Sequence, residues 1–443
     1  MNRSESAGTT PRNLGVRRHG MRDTLLHEVH ARPFESLAGP LHISHMSFLS
    51  GTRAQETEHR HVDELCRRLG IDGPAAGCDH FVAQAGDFRL RWERHTEFST
   101  YTIFRGGEPS EPFSVNPCDA IPRDWLDALP GELLAACHLT VLRSEAVGEG
   151  AERMGEYFDP DSLAGSRCAG GAATVWTDFR VGEDGFTRLL VLDRGLRPAQ
   201  AGRLVRRLLE IETYRLAALL GLPLARRISP EITEMEAQLG DLTDHLASVS
   251  DLAQERELLG KLSDLSARVE RLMARTNFRF GATKAYGAIV RRRIHALRED
   301  RIEGVSTIDE FMERRLAPAM DTCDYVLDRL DRLSKRLSRA ANLLRTRVDV
   351  ALEAQNRDLL ESMNRRARLQ LRLQETVEGL SVVILSYYSV SLVGYAAKGL
   401  KAAGVSVPVD LVVGASIPVV ALAVAAGVWS VRRRVQKADG HGE

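Results

Sequence analysis

Residues 377–400 read VEGLSVVILSYYSVSLVGYAAKGL, and the reading of this stretch decides how the whole chain is organised. Between Glu378 and Lys398 lie 19 residues without a charge, Gly379 to Ala397. A bilayer core about 30 Å thick is crossed by about 20 helical residues at about 1.5 Å each. A second uncharged run of 21 residues, LVVGASIPVVALAVAAGVWSV, lies between Asp410 and Arg432. One such run alone fits the core helix of a soluble protein. Two in tandem, joined by 13 residues, read as a transmembrane hairpin over 377–431, with spans at about 379–397 and 411–431. Pro418 in the second run is tolerated in a membrane helix.

Basic residues orient the hairpin. Arg357, Arg365, Arg366, Arg368 and Arg372 precede it, and Arg432, Arg433, Arg434 and Lys437 follow it in the tail 432–443. The loop between carries only Lys398 and Lys401. The positive-inside rule therefore predicts both termini in the cytoplasm, with Trp429 at the inner interface. Within the first span, Tyr387, Ser391 and Gly394 share one helix face at i, i+4, i+7, with Ser386 and Ser389 beside it and Tyr395 at the outer end. Small and hydroxyl residues at this spacing make a helix–helix seam; in an oligomer the same face would line a polar pore.

Upstream, the expected fold class is α+β. Residues 1–20 lack an apolar stretch and read as a disordered leader, not a signal peptide. Residues 21–199 read as a cytoplasmic α/β domain with a mostly antiparallel or mixed sheet. In HFVAQAGDFRLRWERHTEFSTYTIFR, from His80, Phe88, Leu90 and Trp92 alternate with Arg89, Arg91 and Glu93, the period of a half-buried strand. HLTVLR, from His138, is a further strand. AATVWTDFRVGEDGFTRLLVLDR is a hairpin around Gly182–Gly185. ETEHRHVDELCRRLG is a helix stopping at Gly70.

Strand patterns vanish after residue 199. The region 200–306 reads as helices, one closed by Gly221 and Pro223, the next opened by Pro230, and another over about 281–300. Leu239, Leu242, Leu246 and Val249, then Leu258, Leu262, Leu265, Val269 and Leu272, have amphipathic 3–4 spacing. A stalk, 307–376, starts at the N-cap Thr307 with Glu310 three residues on. Its seam steps through Cys323, Leu327, Leu330, Ser334, Leu337, Ala341, Leu344, Val348 and Ala351 as in a coiled coil. Run unbroken to Ala397, stalk and span form a rod of about 135 Å. Exposed single rods need partners, so the 239–272 helix is expected to pack on the stalk and protomers to associate.

Lys plus Arg equals Asp plus Glu at 60 each, so the basic excess of a nucleic-acid binder is missing. Six scattered cysteines without C-x-x-C pairs argue for reduced thiols. Eight histidines lie between His27 and His95. HEVH places His27 and His30 three apart, and HISH does so for His42 and His45. On a helix such pairs share a face and suit a divalent metal, although zinc peptidases use four-residue spacing. Glu93 and Glu97 flank His95, an arrangement for acid/base work in a cleft or for charge pairs on a strand. VRRRIHALREDR reads as a solvated helix face with i, i+4 pairs. With no nucleotide-binding or hydrolase motif, no enzyme is expected and no cofactor beyond that metal.

The segments HEVHARPFESL, ISHMSFLSG, FRLRWERHTEFSTYT, GRLVRRLLEIETYRLAALLGLPLAR, EFMERRLAPAMDTC and LLRTRVDVALEAQNRDLLESMNRRARLQLRLQETVEGLSVVILSYYSVSLVGY resemble a bacterial family of uncharacterised membrane-anchored proteins, domain of unknown function 3422. The resemblance spans about residues 25–435 and implies the bacterial inner membrane. The order of cytoplasmic domain, stalk helix, first span, short loop, second span and basic tail is similar to CorA-type divalent-cation channels. Those are pentamers whose first span lines the pore and ends in Gly-Met-Asn. Here GYAAKG, Gly394 to Gly399, stands in that place, with Lys398 and Lys401 where a cation would enter. The expectation is an oligomeric CorA-like ion transporter in the lipid bilayer. The alternative is a non-transporting anchored scaffold or sensor whose cytoplasmic domain binds a partner or small ligand.

Overall fold

The computed structural model describes residues 19–439 apart from 24, 27–34, 52–53, 108–110, 149, 250 and 404–407; side chains at 151 and 431–439 are not described. The described chain forms two compact units. The first lies within Met1–Ala247 and Lys261–Ala340, the second within Ser248–Gly260 and Ala341–Glu443.

The first unit is built on a nine-stranded sheet in the order β2-β3-β4-β1-β5-β8-β7-β6-β9. Its strands are β1 (Leu41–Leu49), β2 (His80–Ala85), β3 (Phe88–Arg94), β4 (Phe98–Gly106), β5 (Glu132–Arg143), β6 (Ala164–Cys168), β7 (Ala173–Val181), β8 (Thr187–Asp193) and β9 (Asp300–Arg301). Every neighbouring pair is antiparallel except β5 and β8, which run parallel and join two antiparallel halves. The α+β class and mixed sheet thus stand as expected, including the β7–β8 hairpin. Central strands covered on both faces have near-continuous apolar runs, as in Leu189–Leu192, all buried.

Helix α1 (Gln55–Leu69) ends at Gly70 with φ 67, a left-handed cap that glycine adopts without steric cost. It covers one face with Val62 and Leu65 against Trp92, Tyr101 and Trp125; Trp125 comes from the short α2 (Arg123–Asp127). Two further turns, α3 (Ser144–Val147) and α4 (Ala151–Met154), close the same face over β5 and β8 with Val147 and Met154. The opposite face carries α5 (Pro198–Leu219), whose Leu204, Leu208 and Ile211 pack with Ile43, Leu139, Leu189 and Val191.

Several boundaries differ from expectation. Gly221 does not close α5 with a left-handed turn. It opens α6 (Gly221–Ser248), and its lack of a side chain permits a close helix crossing, since a Cβ there would meet Thr283 Oγ1 at 2.4 Å. Pro223 falls in the first turn of α6, where no amide partner is lost, and Pro230 sits inside the helix. The helix expected at 281–300 is the end of a 46-residue α7 (Leu252–Leu297). The stalk helix passes unbroken into the first span as expected, from Ala317 to Ala402, and is interrupted once near its start. Thr307 does cap α8 (Ile308–Arg315): its Oγ1 accepts the Glu310 N–H at 3.1 Å and Glu310 accepts the Thr307 N–H at 3.2 Å. The ladder then breaks at Leu316, because Pro318 has no N–H to continue it, and α9 (Ala317–Ala402) begins.

Within the first unit, α6, α7 and the start of α9 pack together. Arg329 donates to Glu236 at 2.5 Å and Thr233 at 2.9 Å, and Ser334 to Glu270 at 3.2 Å. The buried positions on α9 include Cys323, Val326, Leu330, Leu333, Leu337, Leu344 and Val348. Val326 and Leu333 take the places expected for Leu327 and Ser334.

Candidate functional site

Alternation along the first-unit strands puts His45 of β1, Arg91 and Glu93 of β3, and Thr100 and Thr102 of β4 on one face, in register across the sheet. Above them α5 presents Arg206, Glu210 and Thr213 at helical spacing. β3 was expected to be half-buried with its charged side in solvent; Arg91 and Glu93 are instead 6 % exposed each. Burying them requires partners, and they have them. Glu93 lies 3.4 Å from Arg91 Nε and 3.7 Å from Arg206 Nη2; Arg91 reaches Glu35 at 3.5 Å. Glu210 takes Arg206 at 3.1 Å and also Arg293 of α7. Glu97, beside β4, accepts Arg279 through both oxygens at 3.0 and 2.5 Å and the Tyr286 hydroxyl at 2.8 Å. Arg89, which also reaches Glu35 at 2.7 Å, completes the layer: five arginines meet Glu35, Glu93, Glu97 and Glu210.

His45 stands at the centre. Its Nδ1 is 2.8 Å from Thr102 Oγ1 and its Nε2 2.8 Å from Thr213 Oγ1. Burial, then the Arg91 charge, pushes its pKa down to about 3, so the ring is neutral at pH 7. Burial raises the Glu93 carboxyl, but Arg91, Arg206, His95 and His80 together outweigh it and leave it below its usual range. The cavity left between these groups is about 30 Å³, room for about one or two waters. The arrangement locks α5 and α7 to the sheet.

A histidine whose folded pKa lies below its unfolded value of about 6.5 stabilises the fold above that pH and loses this contribution as pH falls. His45 therefore makes the first unit weaker by about 2 kcal/mol at pH 5 than at pH 7. His138, held down to about 4 by burial, acts in the same direction. Denaturant titrations at the two pH values check this, and His45→Gln, which cannot be protonated, should flatten the dependence.

The histidine pairs do not form a metal centre among the described residues. His27 and His30 lie outside those residues. His42 and His45 sit on a strand, not a helix, so three-residue spacing sends them to opposite faces: His42 meets Thr140 at 3.3 Å. Around His95 the ring stacks on Phe98 at 4.5 Å, while both Glu97 oxygens are occupied by Arg279 and Tyr286. All six cysteines are unpaired.

In the second unit, the end of α9 and α10 (Val409–Asp439) are two helices long and apolar enough to cross a membrane. The face expected on the first span is divided. A Cβ at Gly394 would stand 3.4 Å from Val413 on α10, and Ala397, one turn on, is 3 % exposed. Ser386, Ser389 and Ser391 are half-buried, and the Ser386 Oγ is enclosed without a hydrogen-bond partner among the described residues. Tyr387 and Tyr395 point away, 70 % and 73 % exposed. Gly394 belongs to the hairpin's own seam; the tyrosines do not.

A mixed-sheet α+β unit followed by long helices and two membrane-length apolar segments defines the class. Within it, the chain belongs to the family described as Protein of unknown function (DUF3422), whose sequence model matches residues 17–435. No curated protein matches the chain.

Proposed function

We propose that this protein is a homo-oligomeric, non-enzymatic scaffold or sensor of the bacterial inner membrane. The C-terminal hairpin anchors it with both termini in the cytoplasm, and its cytoplasmic domain binds a partner or small ligand. The observation that carries this reading is the use of Gly394 and Ala397 in the packing of the two spans, which takes the close-packing residues of the first span away from any axis. Lys398 and Lys401 at the outer turn add to it, because a positive mouth repels cations. Leu359, Leu360, Met363 and Leu373 on α9 are exposed, which supports association of protomers through a coiled coil.

The second reading is a CorA-like ion channel. It is favoured by Tyr387, Tyr388 and Tyr395, which project outward from the first span and are free to surround an axis between copies. Flux assays on the purified oligomer in proteoliposomes separate the two. The anchor reading predicts no flux of divalent cations or of anions above protein-free liposomes. A saturable flux lost in Tyr387→Ala or Tyr395→Ala would replace it with the channel.

A further inference from the structure

A second depression in the first unit, of about 230 Å³, lies where the start of α5, the end of α7 and the β6–β7 turn meet. Gln200, Arg203 and Arg207 line it from one face of α5, at i, i+3 and i+7. Arg298, just past α7, lines it from the other side with φ 52, a left-handed conformation uncommon for a residue with a side chain. Gly170 leaves its rim open, with nothing within 4 Å of where a Cβ would stand.

No carboxylate lines this cavity. Two nearby acids are engaged elsewhere, Glu210 with Arg206 and Arg293, and Glu299 with the Ile308 and Asp309 amides at 3.1 and 3.0 Å; Asp300 does not line the cavity. Arg207 Nη1 donates to the Ala296 carbonyl at 2.9 Å, which holds that guanidinium on the wall. Arg203 and Arg298 have no ion pair among the described residues. Burial, and then Arg203, Arg293 and Arg298, lower the pKa of Arg207: the like charges are close enough to oppose one another. The run VRRRIHALREDR carries five arginines against Glu299 and Asp300, and neither acid lines the cavity.

We propose that this cavity binds a phosphate-bearing small molecule, with Arg203, Arg207 and Arg298 gripping its phosphoryl group. Guanidinium forks match phosphate oxygens in pairs, and three of them call for a ligand with more than one negative charge. The volume leaves room beside the phosphoryl group for the remainder of the ligand. The assignment rests on the first unit alone and holds whether the hairpin anchors or conducts.

The test is thermal unfolding of the full chain in zwitterionic detergent, titrated with inorganic phosphate and with pyrophosphate at ionic strength matched by chloride. The expected result is a saturable rise in the midpoint, of about 5 °C at a hundredfold excess over Kd. Arg203→Gln and Arg298→Gln should each weaken Kd about tenfold or more while leaving the ligand-free midpoint within about a degree, as partly or fully exposed substitutions do. A second arm uses micelles doped with phosphatidic acid against phosphatidylcholine: a shift there and none with the free anions assigns a lipid headgroup, and the reverse assigns a soluble phosphate. No shift with any of the three, an equal shift with chloride, or shifts unchanged in both variants would overturn the proposal. Should Arg203→Gln not fold, Arg298→Gln decides alone.

Discussion

Glu97→Ala lowers the stability of the sheet-bearing unit by about 3 kcal/mol at pH 7. The carboxylate is buried and ties the start of β4 to α7 through Arg279 and Tyr286. Removing one partner of a buried pair leaves an uncompensated charge and costs about 3–5 kcal/mol. Arg279 is 23 % exposed, so water recovers part of that, and the lower end applies. Denaturant unfolding of the full chain in detergent reads the effect. The double variant Glu97→Ala, Arg279→Ala should be the more stable of the two, because no orphaned guanidinium remains. A single-variant loss under about 0.5 kcal/mol, the size of an ordinary surface change, would show that this contact does not hold α7 to the sheet.

Gly165→Ala destabilises by a comparable amount, about 3 kcal/mol, through packing alone. Gly165 pairs with Trp176 across β6 and β7, and a Cβ at 165 would lie 2.4 and 2.5 Å from two carbons of the Trp176 ring. That ring is fully buried and cannot swing into solvent. Overpacking of this kind costs about 1–3 kcal/mol, more where the neighbour cannot move. The paired variant Gly165→Ala, Trp176→Phe should recover part of the loss; an unchanged midpoint in Gly165→Ala would contradict the close approach.

The two membrane-length helices, the α1 stop at Gly70 and the β7–β8 hairpin were legible because each depends on local pattern: uncharged length, a glycine in a left-handed cap, and period-two alternation. The central strand β1 was not. LHISHMSFL carries His42, Ser44, His45 and Ser47, and polar residues on both faces hide a strand that is nonetheless buried on both. Their partners, such as Thr102, Thr140 and Thr213, are far off in sequence, so the same histidines looked like metal ligands. The buried ion-pair layer was missed for the same reason: Glu93 and Arg91 follow the period of a solvent-facing strand side, and only α5 and α7, over a hundred residues later, cover them. Prolines misled at α6, where Pro223 sits in a first turn and Pro230 is accommodated inside the helix. On α9 the three- and four-residue steps from Cys323 both land on apolar residues, and packing selects Val326 over Leu327; from Leu330 the apolar Leu333 is buried in preference to the polar Ser334.

An anchored chain requires that its apolar helices enter lipid. Alkaline carbonate extraction of bacterial membranes, comparing the full chain with one ended at Thr376, tests this most directly. The full chain is expected in the membrane pellet and the shortened chain in the supernatant; a full-length chain released by carbonate would contradict it.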